Sequence, residues 1–435
     1  MADIEMVSKE IQAITDEVLQ KKGFSPSGLV AHMDNVFQKA GFRNLKSLDE
    51  PAEILVIRDD AAGDFVIFSP FLRELRRIYK GARITVVTSS RNHDLAVCCP
   101  YIDNIELNSE SYDRNDTLKG FELAAKLAIR LLKYNFDMAF IPRLGIMTYG
   151  FLTAYLCGAS QRIGFSNDRI DPTIKDKFAV TGWNVFLTVP VPFFNHNLND
   201  VSRNLNLLEY LLKCRISKEN RYLELWYSPE DTKKATEILK EIKEKKFRQY
   251  IAVVPVASTP RKKWPLDNYV EFLKLLLKAA PESGLVIMGG PNDIPVCEML
   301  KHCFPDNAIN VAGKGNFRIS AAVMSQLNLY IGNDTGLMHI AAAAGLPILN
   351  INCFPAEIKL MSGSIPIRFA PYNVPNVVVM PPKALDGCNE FVGYGCSHLE
   401  KSHCINGVTV NSVWNGYKIL MQNIKNNNLE TTYIK

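Results

Sequence analysis

Residues 332–347 constrain the fold of this chain more than any other stretch. They follow a short apolar run, residues 327–331, which predicts a buried strand. A polar turn comes next, and from Gly336 the sequence is Ala-rich at helical spacing until Gly345 and Pro347 stop the helix. A strand, a tight turn and a close-packing helix are typical of a parallel α/β sheet. Open sheets of this kind bind ligands where the strand ends and the helix begins.

The turn formed by Asp334, Thr335 and Gly336 could receive an anionic ligand. The free N–H groups and the dipole at the start of the helix favour negative charge, and Gly336 lets the backbone approach a phosphate. Thr335 adds a hydroxyl donor beside Asp334. The alternative is purely structural, because Asp and Thr are common helix caps and His339 could be a packed histidine.

Length and composition limit the class of protein. A chain of 435 residues predicts two domains of ordinary size, and 47% apolar residues are enough for two cores. The net charge of +5 is small and well dispersed, so no nucleic-acid partner is expected. We find no secretory signal and no apolar run of the ~18–20 residues that span a bilayer. Together with cysteines inside apolar runs (Cys98, Cys99, Cys157 and Cys353), this predicts a reduced, cytoplasmic protein.

The first half contains a second strand-to-helix turn. Residues 54–58 predict a buried strand, residues 65–78 a helix, and residues 83–88 the next strand, which together make one parallel βαβ unit. Asp64 begins the helix beside Gly63, where the helix dipole keeps a carboxylate ionised. It is either a cap or a general base.

The second half has a basic loop in the equivalent place. Residues 250–256 predict a strand, and the loop at residues 257–265 carries three consecutive cations before the next helix. Such a loop favours a phosphate site, although an exposed basic loop is the alternative. No Gly-x-Gly-x-x-Gly follows the first strand of either half, which argues against a dinucleotide dehydrogenase.

Together these motifs resemble the ADP-heptose:lipopolysaccharide heptosyltransferases, which form glycosyltransferase family 9. Residues 334–343 have the family's Asp-Thr-Gly-x-x-His-x-Ala-Ala-Ala pattern, and residues 262–265 have its Lys-x-Trp-Pro motif. The first half has the family's opening strand, then Gly63-Asp64, Pro70 and Leu-Arg-x-Leu-Arg-Arg at residues 72–77. The resemblance covers approximately residues 53–424.

The resemblance implies a fold and a reaction. The fold is GT-B: α/β, with two facing Rossmann-like domains that have parallel sheets. The reaction is an inverting, metal-independent transfer of a sugar, heptose from ADP-heptose in the family, onto a lipopolysaccharide, lipooligosaccharide or related glycan. No cofactor besides this nucleotide-sugar donor is implied, and a glycolipid acceptor implies peripheral contact with the inner face of the inner membrane.

The resemblance also implies roles for individual residues. Asp64 is the expected catalytic base, Lys262 contacts the donor phosphate, Asp334 orients the donor sugar, and Trp264 packs the loop against the helix. The expected substrate-binding residues are Gly63, Ser258, Lys262, Asp334, Thr335, Gly336 and His339.

Four segments are predicted. Residues 1–50 form a helical N-terminal extension, with apolar faces at Ile11, Ile14, Val18 and Leu19 and at Val30, Met33, Val36 and Phe37. Residues 51–220 form the acceptor-binding domain and residues 221–410 the nucleotide-sugar-binding domain. Residues 411–435 contain a C-terminal helix, for which a return to the first domain stays open, and then a polar, frayed tail. Packing, self-association and membrane contact are the alternatives for the extension.

Other functions stay open at this point. The family carries small hydroxyl residues before its Gly-Asp, whereas this chain has Asp59, Asp60, Ala61 and Ala62, in a loop expected to face the acceptor. The acceptor could therefore be a protein, as for autotransporter-type heptosyltransferases. An epimerase or a non-catalytic sugar-nucleotide-binding protein would also need Rossmann-like domains. Cys388, Cys396 and Cys404, with His398 and His403, could bind a metal, but they lack a Cys-x-x-Cys pair.

Overall fold

The computed structural model describes residues 3–43, 50–110, 116–143, 148–166, 182–192, 198–356, 365–385 and 401–435. These residues fall into two compact units. Unit 1 comprises the described parts of Met1–Ala61, Phe71–His196 and Ser202–Asn220, and unit 2 those of Ala62–Pro70, Asn197–Val201 and Arg221–Lys435. The chain therefore passes between the units five times.

The strands of the described residues form two sheets, one in each unit. Their bounds are β1 Glu53–Ile57, β2 Arg83–Ser89, β3 Asn104–Asn108, β4 Met138–Ile141, β5 Gln161–Phe165, β6 Val189–Val191, β7 Gln249–Val254, β8 Ser283–Ile287, β9 Ala308–Asn310, β10 Leu329–Asn333, β11 Ile348–Ile351, β12 Asn376–Val379 and β13 Thr431–Ile434.

From β1 onward, one or two helices separate most consecutive strands. Their bounds are α1 Ile4–Lys21, α2 Pro26–Lys39, α3 Ala62–Ile67, α4 Ser69–Ile78, α5 His93–Val97, α6 Thr117–Leu131, α7 Thr148–Leu156, α8 Asp200–Leu212, α9 Pro229–Glu244, α10 Leu266–Ala279, α11 Ile294–His302, α12 Phe317–Met324, α13 Gly336–Ala343, α14 Ile365–Arg368 and α15 Val410–Lys425.

Unit 1 contains a six-stranded parallel sheet in the order β3-β2-β1-β4-β5-β6. Strand β1 lies inside the sheet, and all five of its residues are buried. Both faces of a central parallel strand are covered, which explains why residues 54–57 are a continuous apolar run rather than an alternating one.

The N-terminal helices α1 and α2 pack against unit 1. Val7, Ile11 and Val18 of α1, and Leu29, Met33 and Phe37 of α2, belong to the same buried cluster as α6 and α7. Most of the predicted apolar faces are therefore core. Leu19 is an exception: the sequence placed it on the buried face, but it is 37% exposed.

Unit 2 contains a seven-stranded parallel sheet in the order β13-β12-β11-β10-β7-β8-β9. In the register, Gly332 of β10 lies between Val254 of β7 and Asn350 of β11. The loops that follow these three neighbouring strands therefore begin at one edge of the sheet. The two parallel sheets with flanking helices confirm the predicted α/β fold class.

The C-terminal residues differ from the predicted frayed tail. Helix α15 packs on β11, β12 and α10, all of them in unit 2. Thr431–Ile434 then forms β13, which pairs in parallel with β12. This strand is hard to recognise in the sequence, because it is short and polar and its stability comes from pairing with a neighbour distant in the chain. None of the described helices combines the length and apolarity of a membrane span.

Truncating Phe37 tests the integration of the extension into the core. Because Phe37 is fully buried against Phe42 and Tyr155, we expect Phe37→Ala to lower the free energy of unfolding of unit 1 by about 3–5 kcal/mol. Leu19→Ala, on the exposed side of α1, is the control and should cost less than about 1 kcal/mol. Denaturant unfolding followed by circular dichroism measures both. Equal small effects would show that the extension is not part of the core.

Candidate active site

The turn between β10 and α13 has the predicted strand-to-helix geometry. Thr335 is the N-cap of α13, and its Oγ1 accepts a hydrogen bond from the Leu337 N–H at 3.2 Å. The structural reading of Thr335 as a cap is therefore correct. It does not exclude a ligand, because the other N–H groups of the first turn keep their polarity at the end of the helix.

Asp334 is joined to the basic loop. Its Oδ2 accepts a hydrogen bond from Lys262 Nζ at 2.8 Å, and its side chain is only 7% exposed. Burial alone would raise the pKa of Asp334, but the Lys262 charge and hydrogen bond outweigh it and hold the pKa below its ordinary value. Burial likewise opposes the charge of Lys262, yet Asp334 raises the Lys262 pKa. Both groups are thus charged at neutral pH.

Asn333, at the end of β10, also holds the basic loop in place, a role that the sequence did not reveal. Its fully buried Oδ1 accepts hydrogen bonds from the Trp264 N–H at 3.2 Å and from the Tyr269 hydroxyl at 3.0 Å. The Trp264 ring makes an edge contact with Tyr269 of α10 at 4.9 Å, which confirms the predicted packing of the loop against the helix. The only sequence signal for Asn333 was a polar residue at the end of an apolar strand.

Helix α3 lies against the start of α13 within unit 2. A Cβ built on Gly63 would lie 2.7 Å from Cδ2 of His339 and 3.2 Å from Cα of Gly336. Real side chains do not approach so closely, so this contact requires a glycine. Asp64 is in the first turn of α3 and is half-buried. The packing therefore brings Gly63 and Asp64 to the N-terminus of α13.

His339 lies among these charged groups. It is 5% exposed, and its Nδ1 has no hydrogen-bond partner among the residues the structure describes. Burial lowers the pKa of His339, although the carboxylates of Asp334 and Asp64 act in the opposite direction. The ring is therefore neutral at pH 7, and an unpartnered nitrogen in a buried polar site is open to a ligand.

Ser258 behaves differently from the other predicted residues. It is exposed, and its side chain makes no hydrogen bond to any described part of the chain. Around the N-terminus of α13 the structure thus brings together the other predicted residues, which are Gly63, Asp64, Lys262, Asp334, Thr335, Gly336 and His339. No contact in the described part of the chain joins Ser258 to them.

The acidic loop of unit 1 has a structural explanation. Asp60 is 3% exposed and forms ion pairs with Arg58 at 3.3 Å and with Arg143 at 2.9 Å. Asp59 accepts a hydrogen bond from Asn108 Nδ2 at 3.1 Å. Neither carboxylate is therefore without a partner. Arg143, far away in sequence, is the partner that could not be foreseen.

The possible metal ligands lie mostly outside the described residues. Cys388, Cys396 and His398 belong to that part of the chain. In the described ranges, no group of three or more His, Cys, Asp or Glu side chains is arranged to hold a metal ion. Cys404 is buried, with its Sγ 3.4 Å from Nδ1 of His403.

Two α/β units, each built on a parallel sheet, are the architecture of the GT-B class. A family model described as glycosyltransferase family 9 (heptosyltransferase) matches residues 126–357, more than half of the chain. The chain therefore belongs to glycosyltransferase family 9.

Two curated relatives agree with this membership. The lipopolysaccharide core heptosyltransferase OpsX of Haemophilus influenzae is 22% identical over 336 residues, which cover 76% of this chain and 85% of that protein. Lipooligosaccharide heptosyltransferase 2 of the same organism is 30% identical over 94 residues, which cover 21% of this chain and only 27% of that protein.

Solved structures share the fold. The family 9 glycosyltransferase of Veillonella parvula has a TM-score of 0.65 at 18% identity, and the match covers 86% of this chain and 99% of that one. The ADP-heptose heptosyltransferase II of E. coli has a TM-score of 0.58 at 17% identity, with the same coverage of both chains. At these identities the likeness concerns the fold alone.

Asp334→Asn tests the ion pair. It leaves the Lys262 ammonium without a counter-charge, and we expect about 2–4 kcal/mol of destabilisation, since Lys262 keeps some contact with water. Because the folded pKa of Asp334 is depressed, the advantage of the wild type should be complete above the unfolded pKa of about 3.9 and be lost as the pH falls through the lower folded pKa. Urea unfolding between pH 3 and 7 measures this difference. A difference that does not change with pH would contradict it.

Gly63→Ala tests the contact between α3 and α13. The added methyl group must displace the His339 ring or the α13 backbone, so we expect a loss of about 1–3 kcal/mol in stability. Gly81→Ala is the matched control, because nothing lies within 4 Å of a Cβ at that position. Thermal unfolding of both variants decides the matter, and equal melting temperatures would mean that the contact is loose.

Proposed function

We propose that this glycosyltransferase transfers heptose from ADP-heptose to a lipopolysaccharide or lipooligosaccharide acceptor. The observation that carries the proposal is the packing of Gly63 and Asp64 on the N-terminus of α13, beside the Lys262–Asp334 pair. That arrangement sets a carboxylate next to a site suited to a diphosphate. The names of the relatives support the sugar and the acceptor: two curated heptosyltransferases act on lipopolysaccharide or lipooligosaccharide, and a family structure from E. coli was solved with ADP.

The proposed chemistry is a single displacement with inversion. Asp64 accepts the proton of an acceptor hydroxyl, and that oxygen forms a bond to the anomeric carbon of the donor. The bond from the anomeric carbon to the diphosphate oxygen breaks at the same time, and its electron pair leaves with ADP. The added charge on the diphosphate is stabilised by the Lys262 ammonium, the Thr335 hydroxyl and the N–H groups at the start of α13, so no metal is required in this scheme.

Other residues would position the donor. Asp334 holds Lys262 and would orient the heptose, while neutral His339 offers its unpartnered Nδ1 to the phosphate turn or to the sugar. Gly336 gives the diphosphate access to the backbone. Because a glycolipid acceptor is presented at a membrane surface, peripheral contact with that surface is part of the proposal.

Asp64→Asn separates chemistry from binding. The amide cannot take the proton, so we expect the rate of heptosyl transfer to fall at least about 100-fold, while the affinity for ADP-heptose changes less than about threefold. Transfer is measured by ADP release with a lipid A-core acceptor, and donor affinity by isothermal titration calorimetry. Asp94→Asn, in α5 of unit 1, is a control for the loss of one carboxylate. Near-normal turnover of Asp64→Asn would remove the proposed base.

A further inference from the structure

Arg261 is an unsatisfied cation in the basic loop. It lies in the short 3₁₀ turn Pro260–Lys262 and is half-buried. Its Nε and Nη1 are shielded from solvent, and neither nitrogen has a hydrogen-bond partner in the described part of the chain. Arginine stays charged in proteins, so N–H donors that are shielded from water and unpaired lower the stability of the fold. A ligand that accepts hydrogen bonds from them would remove this cost.

The surroundings of Arg261 contain an aromatic ring and other charged groups. Its guanidinium carbon lies 5.5 Å from the ring centroid of Phe354, in the loop after β11, and its charge acts on both Lys262 and Asp334. Arg261 therefore faces the edge of the sheet where β7, β10 and β11 end. It has an aromatic support but no counter-ion among the described residues.

A second unpaired group lies in the same turn. The Oγ1 of Thr259 is also shielded from solvent and has no hydrogen-bond partner among the described residues, although Thr259 stands at the N-cap of the turn. A guanidinium can only donate hydrogen bonds, and a hydroxyl can donate one. A ligand that forms hydrogen bonds with both Arg261 and Thr259 must offer several acceptor oxygens and negative charge. A phosphate group has both properties.

Charge balance distinguishes Arg261 from Lys262. Lys262 and Asp334 form a pair with a net charge of zero, so Lys262 can contact the diphosphate, but the pair adds no net positive charge to the site. Arg261 is the adjacent cation that has no counter-ion in the part of the chain that the structure describes. We propose that Arg261 binds the diphosphate of the nucleotide-sugar and supplies the net positive charge of the donor site, whereas Lys262 is held in place by Asp334. This inference rests on the proposed function.

The test compares Arg261→Gln with Arg248→Gln. Arg248 is exposed and directly precedes β7, so it lies at the amino ends of the strands, away from the basic loop. Its replacement removes the same charge outside the proposed site. By calorimetric titration we expect Arg261→Gln to weaken binding of inorganic pyrophosphate and of ADP roughly 10- to 100-fold, and Arg248→Gln less than about twofold. Binding of adenosine, which has no phosphate, should not change.

A second variant distinguishes loss of a ligand contact from misfolding of the basic loop. Thr259→Val keeps the shape of the side chain and should weaken pyrophosphate binding about three- to tenfold, with the melting temperature unchanged. Pyrophosphate affinity that is equal in Arg261→Gln and the wild type, or absent in the wild type, would overturn the inference.

The titration distinguishes this inference from the proposed function. If Arg261→Gln loses pyrophosphate affinity but the wild type transfers no heptose, Arg261 is confirmed as the anion site and the proposed reaction fails. If the wild type transfers heptose and Arg261→Gln binds pyrophosphate normally, only the role of Arg261 is wrong.

Discussion

The nearly buried ion pair between Lys262 and Asp334 organises the carboxyl edge of the unit 2 sheet. Each group alone would be costly to remove from water, and the pair persists because the two charges meet at 2.8 Å. Asn333, one residue away, adds hydrogen bonds to Trp264 and Tyr269. The loop after β7 is thus fixed to the end of β10 by side chains that need no ligand, and a site ordered in advance loses less entropy on binding.

The sequence was most informative where structure is local. The turn at residues 332–336 follows from a strand, a glycine and a small-residue helix, each recognisable by itself. The pairing of Lys262 with Asp334 joins residues 72 positions apart, and no periodicity predicts such a contact. The same is true of Asp60, in the loop that was expected to face the acceptor, because its ion-pair partner Arg143 is distant in the sequence. The strand β13 was missed because its stability comes from its partner rather than from its own residues.

Whether a polar or charged side chain has a hydrogen-bond or ion-pair partner also depends on the three-dimensional structure. Arg261, Lys262 and Lys263 are indistinguishable in a list of cations, yet they differ in the structure. Lys262 is paired with Asp334, Lys263 lies 4.0 Å from Asp293, and Arg261 has no counter-ion among the described residues. Most buried polar groups in folded proteins are paired, so the exceptions near one helix N-terminus carry information that residue types alone do not.

The division of the chain between the units has a practical consequence for dissecting the protein. Helix α3 follows a strand of unit 1 but belongs to unit 2, so unit 2 is not a continuous segment. A fragment beginning at Arg221 would keep strands β7–β13 and lose Asp64 together with the glycine that touches His339. Cutting between the two sheets would therefore separate Asp64 from the turn at Thr335, and this carboxylate and the turn proposed to bind phosphate can be studied together only in a chain that retains both.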